Sequence, residues 1–276
     1  MAQGDAVQRI VFFWNNFGPM HADRVDAVAK AMGDGIDCIG LEFRRTDETY
    51  DWLSESRESF RKETLFAERI PGFFGRLRAL IGAARRLQAD SWFLCHYERP
   101  EVLCLALYLR LSGRRVFTMG CSKFDDFPRN VFREWLKSVF MRPYLGAISS
   151  ERRSAEYIRF LGLRKRPVVA QYNTLSVSRI RAAAAAPPAP DGTAFGARDF
   201  IIVARFVPKK NLPMALDAFA RYVALRPASA RKLHLCGSGA GEAELRSRVA
   251  ALGLTDRVVF HGFLQSDGVA RVLAQG

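Results

Sequence analysis

FIIVARFVPKKNLPMALDAFARYVALRPASARKLHLCGSGAG, residues 200–241, is the stretch on which the fold turns. Its first apolar run, 200–204, lands on Arg205, Pro208, Lys209, Lys210 and Asn211. A helical period follows in Leu212, Ala215, Leu216, Phe219, Tyr222 and Val223. A second apolar run, 233–236, then opens onto Gly237, Gly239 and Gly241. Apolar strand, polar turn and amphipathic helix in alternation describe a parallel α/β sheet. In such sheets the polar groups at the carboxyl ends of the strands converge on a ligand crevice. Arg205 and Lys210 therefore stand where a diphosphate is expected. A bidentate guanidinium and a point-charge ammonium can stabilise a leaving diphosphate without a metal. No metal and no cofactor are expected.

The pattern extends in both directions. C-terminal to this stretch, Leu245, Val249 and Leu252 carry the next helix, Gly253 sits at its C-cap, and 257–260 reads as a third strand. Asn211 is expected to cap the helix after Lys210, with Pro213 tolerated in its first turn. N-terminal to it, strands are expected at 8–14, 36–43, 92–95, 116–119, 147–150 and 167–172, with a short one around 64–67. Gly18 follows the first strand in a turn that leads into a helix, a place where free backbone N–H groups can meet a phosphate or a sugar hydroxyl. An ordinary tight turn accounts for that stretch equally well. Residues 73–84 form an apolar stripe flanked by Arg76, Arg78, Arg85 and Arg86, suited either to packing on the sheet or to lying on an anionic bilayer. Residues 131–140 are amphipathic too, with Trp135 on the apolar side. The run 182–190, five alanines and then Pro-Pro-Ala-Pro, reads as a linker. The expected architecture is thus two Rossmann-like doubly wound α/β domains, 1–180 and 199–276, joined through 181–198.

The totals bound the rest. No apolar run approaches the ~20 residues of a membrane span, and residues 1–20 lack the pattern of a signal peptide, so cytoplasmic residence is expected. Five scattered cysteines without a Cys-x-x-Cys pair argue against a disulfide or metal framework. The net charge of +14, from 42 basic and 28 acidic residues, is spread along the chain. This favours an anionic partner, either a nucleotide-linked substrate or peripheral contact with an anionic membrane. No nucleic-acid motif accompanies the charge, so nucleic acid is not an expected partner. A dinucleotide oxidoreductase is disfavoured because Glu242 stands where G-x-G-x-x-G needs its third glycine.

The strings VARFVPKKNLPMALDAFA (203–220), LHLCGSG (233–239) and LGLTDRVVFHGF (252–263) resemble the nucleotide-sugar domain of retaining GT-B glycosyltransferases of family 4. The first half matches more loosely, through Gly18, His96 and PVVAQYN at 167–173. The resemblance implies sugar transfer from a nucleotide-diphosphate donor to a glycan or lipid-linked acceptor, with retention of configuration. It also implies that Arg205 and Lys210 hold the diphosphate, that Gly18 lies beside the phosphates or sugar, and that Gly237 and Gly239 form the turn near the nucleotide. Two departures stand out. Gly120 occupies the place of a sugar-contacting histidine, so that role is either vacant or moved to Cys121, Ser122 or Lys123, while His96 is a catalytic candidate with an equal claim to a structural role. The family's paired glutamates, eight apart after a fourth strand, have no counterpart before Gly276. A C-terminally truncated nucleotide domain with a bare sheet edge is therefore expected, and a catalytically inactive binding module is the alternative. Glu55 and Glu63 have the spacing but not the setting, and read as solvated charges on a helix surface.

Overall fold

The computed structural model describes residues 7–46, 52–126, 128–187, 191–228 and 230–276. The chain forms two compact units, Met1–Leu175 and Ser176–Gly276.

The first unit runs β1 (Gln8–Trp14), α1 (Pro19–Met32), β2 (Ile36–Glu42), β3 (Arg61–Thr64), α2 (Phe73–Leu87), β4 (Ser91–Cys95) and α3 (Pro100–Leu111). It continues with β5 (Arg115–Gly120), α4 (Val131–Phe140), β6 (Ala147–Ser149), α5 (Arg152–Ile158) and β7 (Val168–Val169). All seven strands are parallel, in the order β3-β2-β1-β4-β5-β6-β7. Side chains alternate across the sheet with period two. Val11, Phe13, Ile39, Leu41, Trp92 and Leu94 enter one core with α2 and α3. Phe12, Trp14, Cys38 and Phe93 enter the other with α1. Such double-sided burial is why these strands read as continuous apolar runs. On the α1 face, Phe12, Phe93 and Phe117 stack across three neighbouring strands, with centroids 5.0 and 4.9 Å apart.

Because β1 and β4 are neighbours, the strand order reverses between them. The loop leaving β1 leads to a helix on one face and the loop leaving β4 to a helix on the other, opening a crevice at their carboxyl ends.

Two local expectations are corrected. The short strand is Arg61–Thr64, not 64–67. Lys62 and Thr64 both reach the buried Glu42 (2.9 and 2.7 Å), so a polar anchor rather than an apolar run sets its register. Neither Glu55 nor Glu63 lies on a helix: Glu55 pairs with Arg57 at 2.8 Å, and Glu63, in β3, pairs with Arg86 at 2.6 Å. The amphipathic α2 packs Leu80, Ala83, Ala84 and Leu87 into the core.

The second unit begins earlier than position 199. Helix α6 (Val177–Ala184) covers the start of the alanine run, is capped by Ser176 Oγ accepting from Arg179 N–H, and packs on α9 (Ser266–Leu273). Arg179 donates to Ser266 Oγ at 2.5 Å. Between these helices come β8 (Phe200–Val203), α7 (Leu212–Leu225), β9 (Leu233–Cys236), α8 (Glu242–Ala251) and β10 (Val258–Gly262). The sheet is parallel, in the order β10-β9-β8, which is one half of a doubly wound sheet. Its core holds Phe206, Leu212, Leu216, Phe219, Leu235, Leu245 and Val249.

Candidate functional site

In the second unit the decisive loops are those after β8 and β9. They are zipped together by backbone hydrogen bonds. Ala204 N–H donates to Cys236 O at 3.0 Å, Phe206 N–H to Ser238 O at 2.8 Å, and Gly241 N–H to Phe206 O at 3.0 Å. The approach is close enough to demand glycine. Gly237 has φ +149° and a Cβ there would stand 1.9 Å from Ala204 O; at Gly239, φ +154°, the distance to Phe206 O would be 2.6 Å. Buried Phe206, edge-on to Phe260 at 6.2 Å, pins the loop from below.

On this platform Arg205 and Lys210 are both exposed. The backbone turns twice between them, through Val207 N–H to Arg205 O (3.0 Å) and Lys210 N–H to Val207 O (2.9 Å). Asn211 then takes a left-handed conformation, φ +48°, at the N-cap of α7. It makes no side-chain cap; its amide meets Met214 Sδ at 3.6 Å instead. Gly237 and Gly239 thus form the turn that seats the Arg205 loop, which places them near the diphosphate candidates as a support.

Behind the platform lies a chain of titratable groups that the sequence did not reveal. Buried His234 meets Asp199 Oδ2 at 3.0 Å through Nε2 and His261 Nε2 at 2.8 Å through Nδ1. Burial, aided by His234, pushes the His261 imidazole below its ordinary pKa. Burial opposes ionisation of Asp199, but the Lys232 N–H and His234 hold it below the usual carboxylate range. Each group has its partner within the relay, which makes it a fixed part of the sheet.

In the first unit the candidates cluster at the carboxyl ends of β1, β4, β5 and β7. Gly18 is the N-cap of α1 with ordinary extended geometry, φ −61° and ψ 168°. A Cβ there would meet nothing closer than Asn16 Oδ1 at 3.6 Å and Trp52 Cβ at 3.7 Å. The loop is shaped instead by Glu42, fully buried, which accepts from Phe17 N–H (2.7 Å), Ser54 Oγ (2.8 Å), Lys62 Nζ and Thr64 Oγ1. Asn16 holds Arg45 O at 2.8 Å, and His21 stacks on Trp14 with centroids 4.5 Å apart.

His96 follows β4 in a left-handed conformation, φ +62°, with its Nδ1 3.6 Å from Glu98 Oε1. The adjacent Cys95 sulfur, a hydrogen bond to it and the Glu98 carboxylate push the His96 pKa up to about 10. Arg99 bridges the loops on either side of the crevice, donating to Asn15 Oδ1 at 3.2 Å.

Arg24 was not singled out by the sequence. It lies on α1 with its guanidinium 4.7 Å over the Tyr172 ring, donating to Asn173 Oδ1 at 2.7 Å and Thr174 O at 3.2 Å. Burial lowers its pKa, against the opposing effect of Tyr172, Cys95, Cys121 and Asp23. A stacked, half-buried arginine beside the loops after β4 and β5 is a cation at this edge. At Gly120 an added Cβ would meet only Ile158 Cδ1, at 3.7 Å. Cys121 is exposed, whereas Lys123 is half-buried, its N–H donating to Asp126 Oδ2 at 2.9 Å. Among the described residues no group of three or more His, Cys, Asp or Glu could hold a metal ion, and no helix is long and apolar enough to cross a membrane.

Comparison with known proteins adds two findings. Residues 192–275 match the family model described as Glycosyl transferases group 1. A search of curated proteins by sequence gave no match. Among solved structures the chain is similar to a sucrose-phosphate synthase from Thermosynechococcus elongatus, with TM-score 0.62 and 15% identity over 98% of this chain and 74% of that one. It is also similar to Anabaena HepE in complex with UDP, with TM-score 0.60 and 16% identity over 96% and 71%. A third is the UDP-GlcNAc 2-epimerase of Methanocaldococcus jannaschii, with TM-score 0.56 and 10% identity over 96% and 76%. At these identities the likeness shows the fold, which is that of GT-B proteins. The fold alone does not choose between transfer and epimerisation. The match at 192–275 points to the glycosyltransferases, and it covers the loops that carry Arg205, Lys210, Gly237 and Gly239.

Proposed function

We propose that the chain binds a nucleotide-diphosphate sugar and transfers the sugar to an acceptor, with retention of configuration and in the manner of family 4. The observation that carries this reading is the Arg205–Lys210 loop, seated by Gly237 and Gly239 at the carboxyl end of β8, inside the stretch matched to group 1 glycosyltransferases. Its two exposed cations suit the two phosphates of the donor. As bond cleavage places charge on the leaving diphosphate, Arg205 and Lys210 neutralise it without a metal ion. Within the first unit, Gly18 leaves a bare backbone at the N-terminus of α1 that a phosphate or sugar hydroxyl could approach. His96, beside the crevice of the first unit with its pKa raised, is the catalytic candidate there. Arg24, stacked on Tyr172, is a cation available to an anionic substrate there.

The acceptor is a glycan or a lipid-linked glycan, in keeping with the excess of 42 basic over 28 acidic residues. The protein works in the cytoplasm with peripheral contact to an anionic membrane.

A thermal-shift panel of UDP, GDP, ADP, NAD and the corresponding sugar nucleotides tests the donor site. One nucleoside diphosphate should stabilise the protein, and Arg205→Ala and Lys210→Ala should each remove the effect. Stabilisation by NAD alone, or by none of the panel, would overturn the donor site. Incubation with the winning sugar nucleotide then separates chemistries. NMR should show the donor's anomeric configuration kept in a glycoside product, and epimerised donor in its place would assign the protein to the other activity of this fold.

A further inference from the structure

Helix α4 is folded with its polar side inward. Of its ten residues only Glu134 is buried. That carboxylate accepts from Tyr157 OH at 2.5 Å and from Lys137 Nζ at 2.8 Å, and Arg129 donates to the same tyrosine at 3.0 Å. Asn130 caps the helix by accepting from Arg133 N–H at 3.2 Å. The helix is therefore firmly seated, by these polar groups and by Phe140 against the core. Its apolar stripe faces outward, with Val131 87%, Phe132 68% and Trp135 58% exposed. Phe132 and Trp135 stack on each other at 5.8 Å. The segment Arg159–Leu163 packs against α4 and adds Phe160, 63% exposed and edge-on to the exposed Phe124 at 5.6 Å. Between them lies an open groove of about 340 Å³, lined by Phe124, Arg129, Val131, Trp135 and Phe160.

A soluble helix normally shows water its charges and buries its stripe. Here Glu134 and Lys137 are turned inward, and the apolar stripe from Val131 to Trp135, about 7 Å of helix, is left outside. Its surroundings are mainly basic, although the exposed Asp125 and Glu156, next to Phe124 and Phe160, pair there with Arg153 and Arg152. Arg133, Arg142, Arg164, Lys165 and Arg166 are all exposed, Arg166 reaches Arg142 O at 2.9 Å, and neither 131–142 nor 159–166 exposes a carboxylate. Aromatic side chains rimmed by arginines match the acyl–headgroup boundary of an anionic bilayer. A second copy meeting this face across a two-fold axis would set these cations against their own equivalents. We propose that α4, with Phe124 and Phe160, is the surface by which the protein seats itself on an anionic membrane, the apolar stripe among the acyl chains and the arginines on the headgroups. This deepens the reading of a lipid-linked acceptor and rests on it for its purpose, but not for its physics. It also moves the membrane face from α2, whose Leu80, Ala83, Ala84 and Leu87 are spent on the core, to α4.

The test is co-sedimentation of the full chain with phosphatidylglycerol/phosphatidylcholine vesicles and with pure phosphatidylcholine vesicles. The wild type should bind the anionic vesicles, bind the neutral ones weakly, and release in high salt. The exposed-pair variant Phe132→Ser/Trp135→Ser should keep its melting temperature and lose roughly tenfold or more in vesicle binding. Arg164→Glu/Lys165→Glu should weaken binding to anionic vesicles alone. No sedimentation of the wild type, equal binding by the serine variant, or equal binding to both vesicle types would overturn the proposal. So would a wild-type dimer that the serine variant turns into monomer without any vesicle binding. Nucleoside-diphosphate thermal shifts on the same preparations keep the two readings apart, because vesicle binding without a nucleotide response would sink only the proposed transfer.

Discussion

The loop after β1 and the loop after β9 both carry glycine, and they use it differently. In the second unit Gly237 and Gly239 are required by the protein itself. Positive φ angles and neighbouring carbonyls 1.9 and 2.6 Å from any added Cβ leave no alternative. In the first unit Gly18 has a φ that any residue adopts and ordinary van der Waals room. That loop takes its shape from a side chain instead, the buried Glu42 carboxylate with its four donors. A glycine that packing demands says little about ligands. One that packing does not demand is free to serve a ligand's approach.

Substitutions can break this contrast. The largest effect is expected from Glu42→Ala, which strands Lys62 Nζ, only 12% exposed, without its carboxylate. Destabilisation of about 3 kcal/mol or more in urea unfolding is expected for the first unit. Gly237→Ala should cost the second unit a comparable amount, about 3 kcal/mol, from backbone strain and the clash with Ala204 O. Arg205→Ala should leave stability unchanged and weaken nucleoside-diphosphate binding by roughly tenfold to a hundredfold, read by calorimetry. Gly18→Ala sharpens the comparison most: in the same urea unfolding, stability should change by less than about 0.5 kcal/mol. If Gly18→Ala unfolds the protein instead, the glycine is structural in both loops and the distinction fails.

A further effect concerns pH. The His96 pKa lies above its unfolded value near 6.5 and reaches about 10 in the folded protein. Its stabilising contribution is thus complete below about pH 6.5 and is lost as pH rises through the folded value. The stability gap between wild type and His96→Ala should narrow between pH 6.5 and 10, and an NMR titration of the ring should show an elevated midpoint.

Much of the fold was legible because burial on both sides of a parallel sheet leaves continuous apolar runs such as 8–14, and because turns announce themselves through glycine and proline. The loop carrying Arg205 and Lys210 was legible for the same reason. What escaped was decided by contacts distant in sequence. Strand β3 is polar and is placed by Glu42, some twenty residues earlier. Arg24 gains its setting from Asn173, 149 positions later. The alanine-rich start of the second unit becomes helical because α9 offers it a surface. Most instructively, the period of α4 showed an apolar stripe but not which way it faced. Only the pairing of Glu134 with Lys137, Arg129 and Tyr157 determines that.

The central claim is that the Arg205–Lys210 loop holds a nucleoside diphosphate. Isothermal titration of UDP, GDP and ADP into the wild type and into Lys210→Ala and Arg205→Ala tests it most directly. One nucleotide should bind the wild type and bind both variants at least about tenfold more weakly, with their melting temperatures unchanged. Equal affinity in wild type and variants would place the phosphates elsewhere and contradict the account.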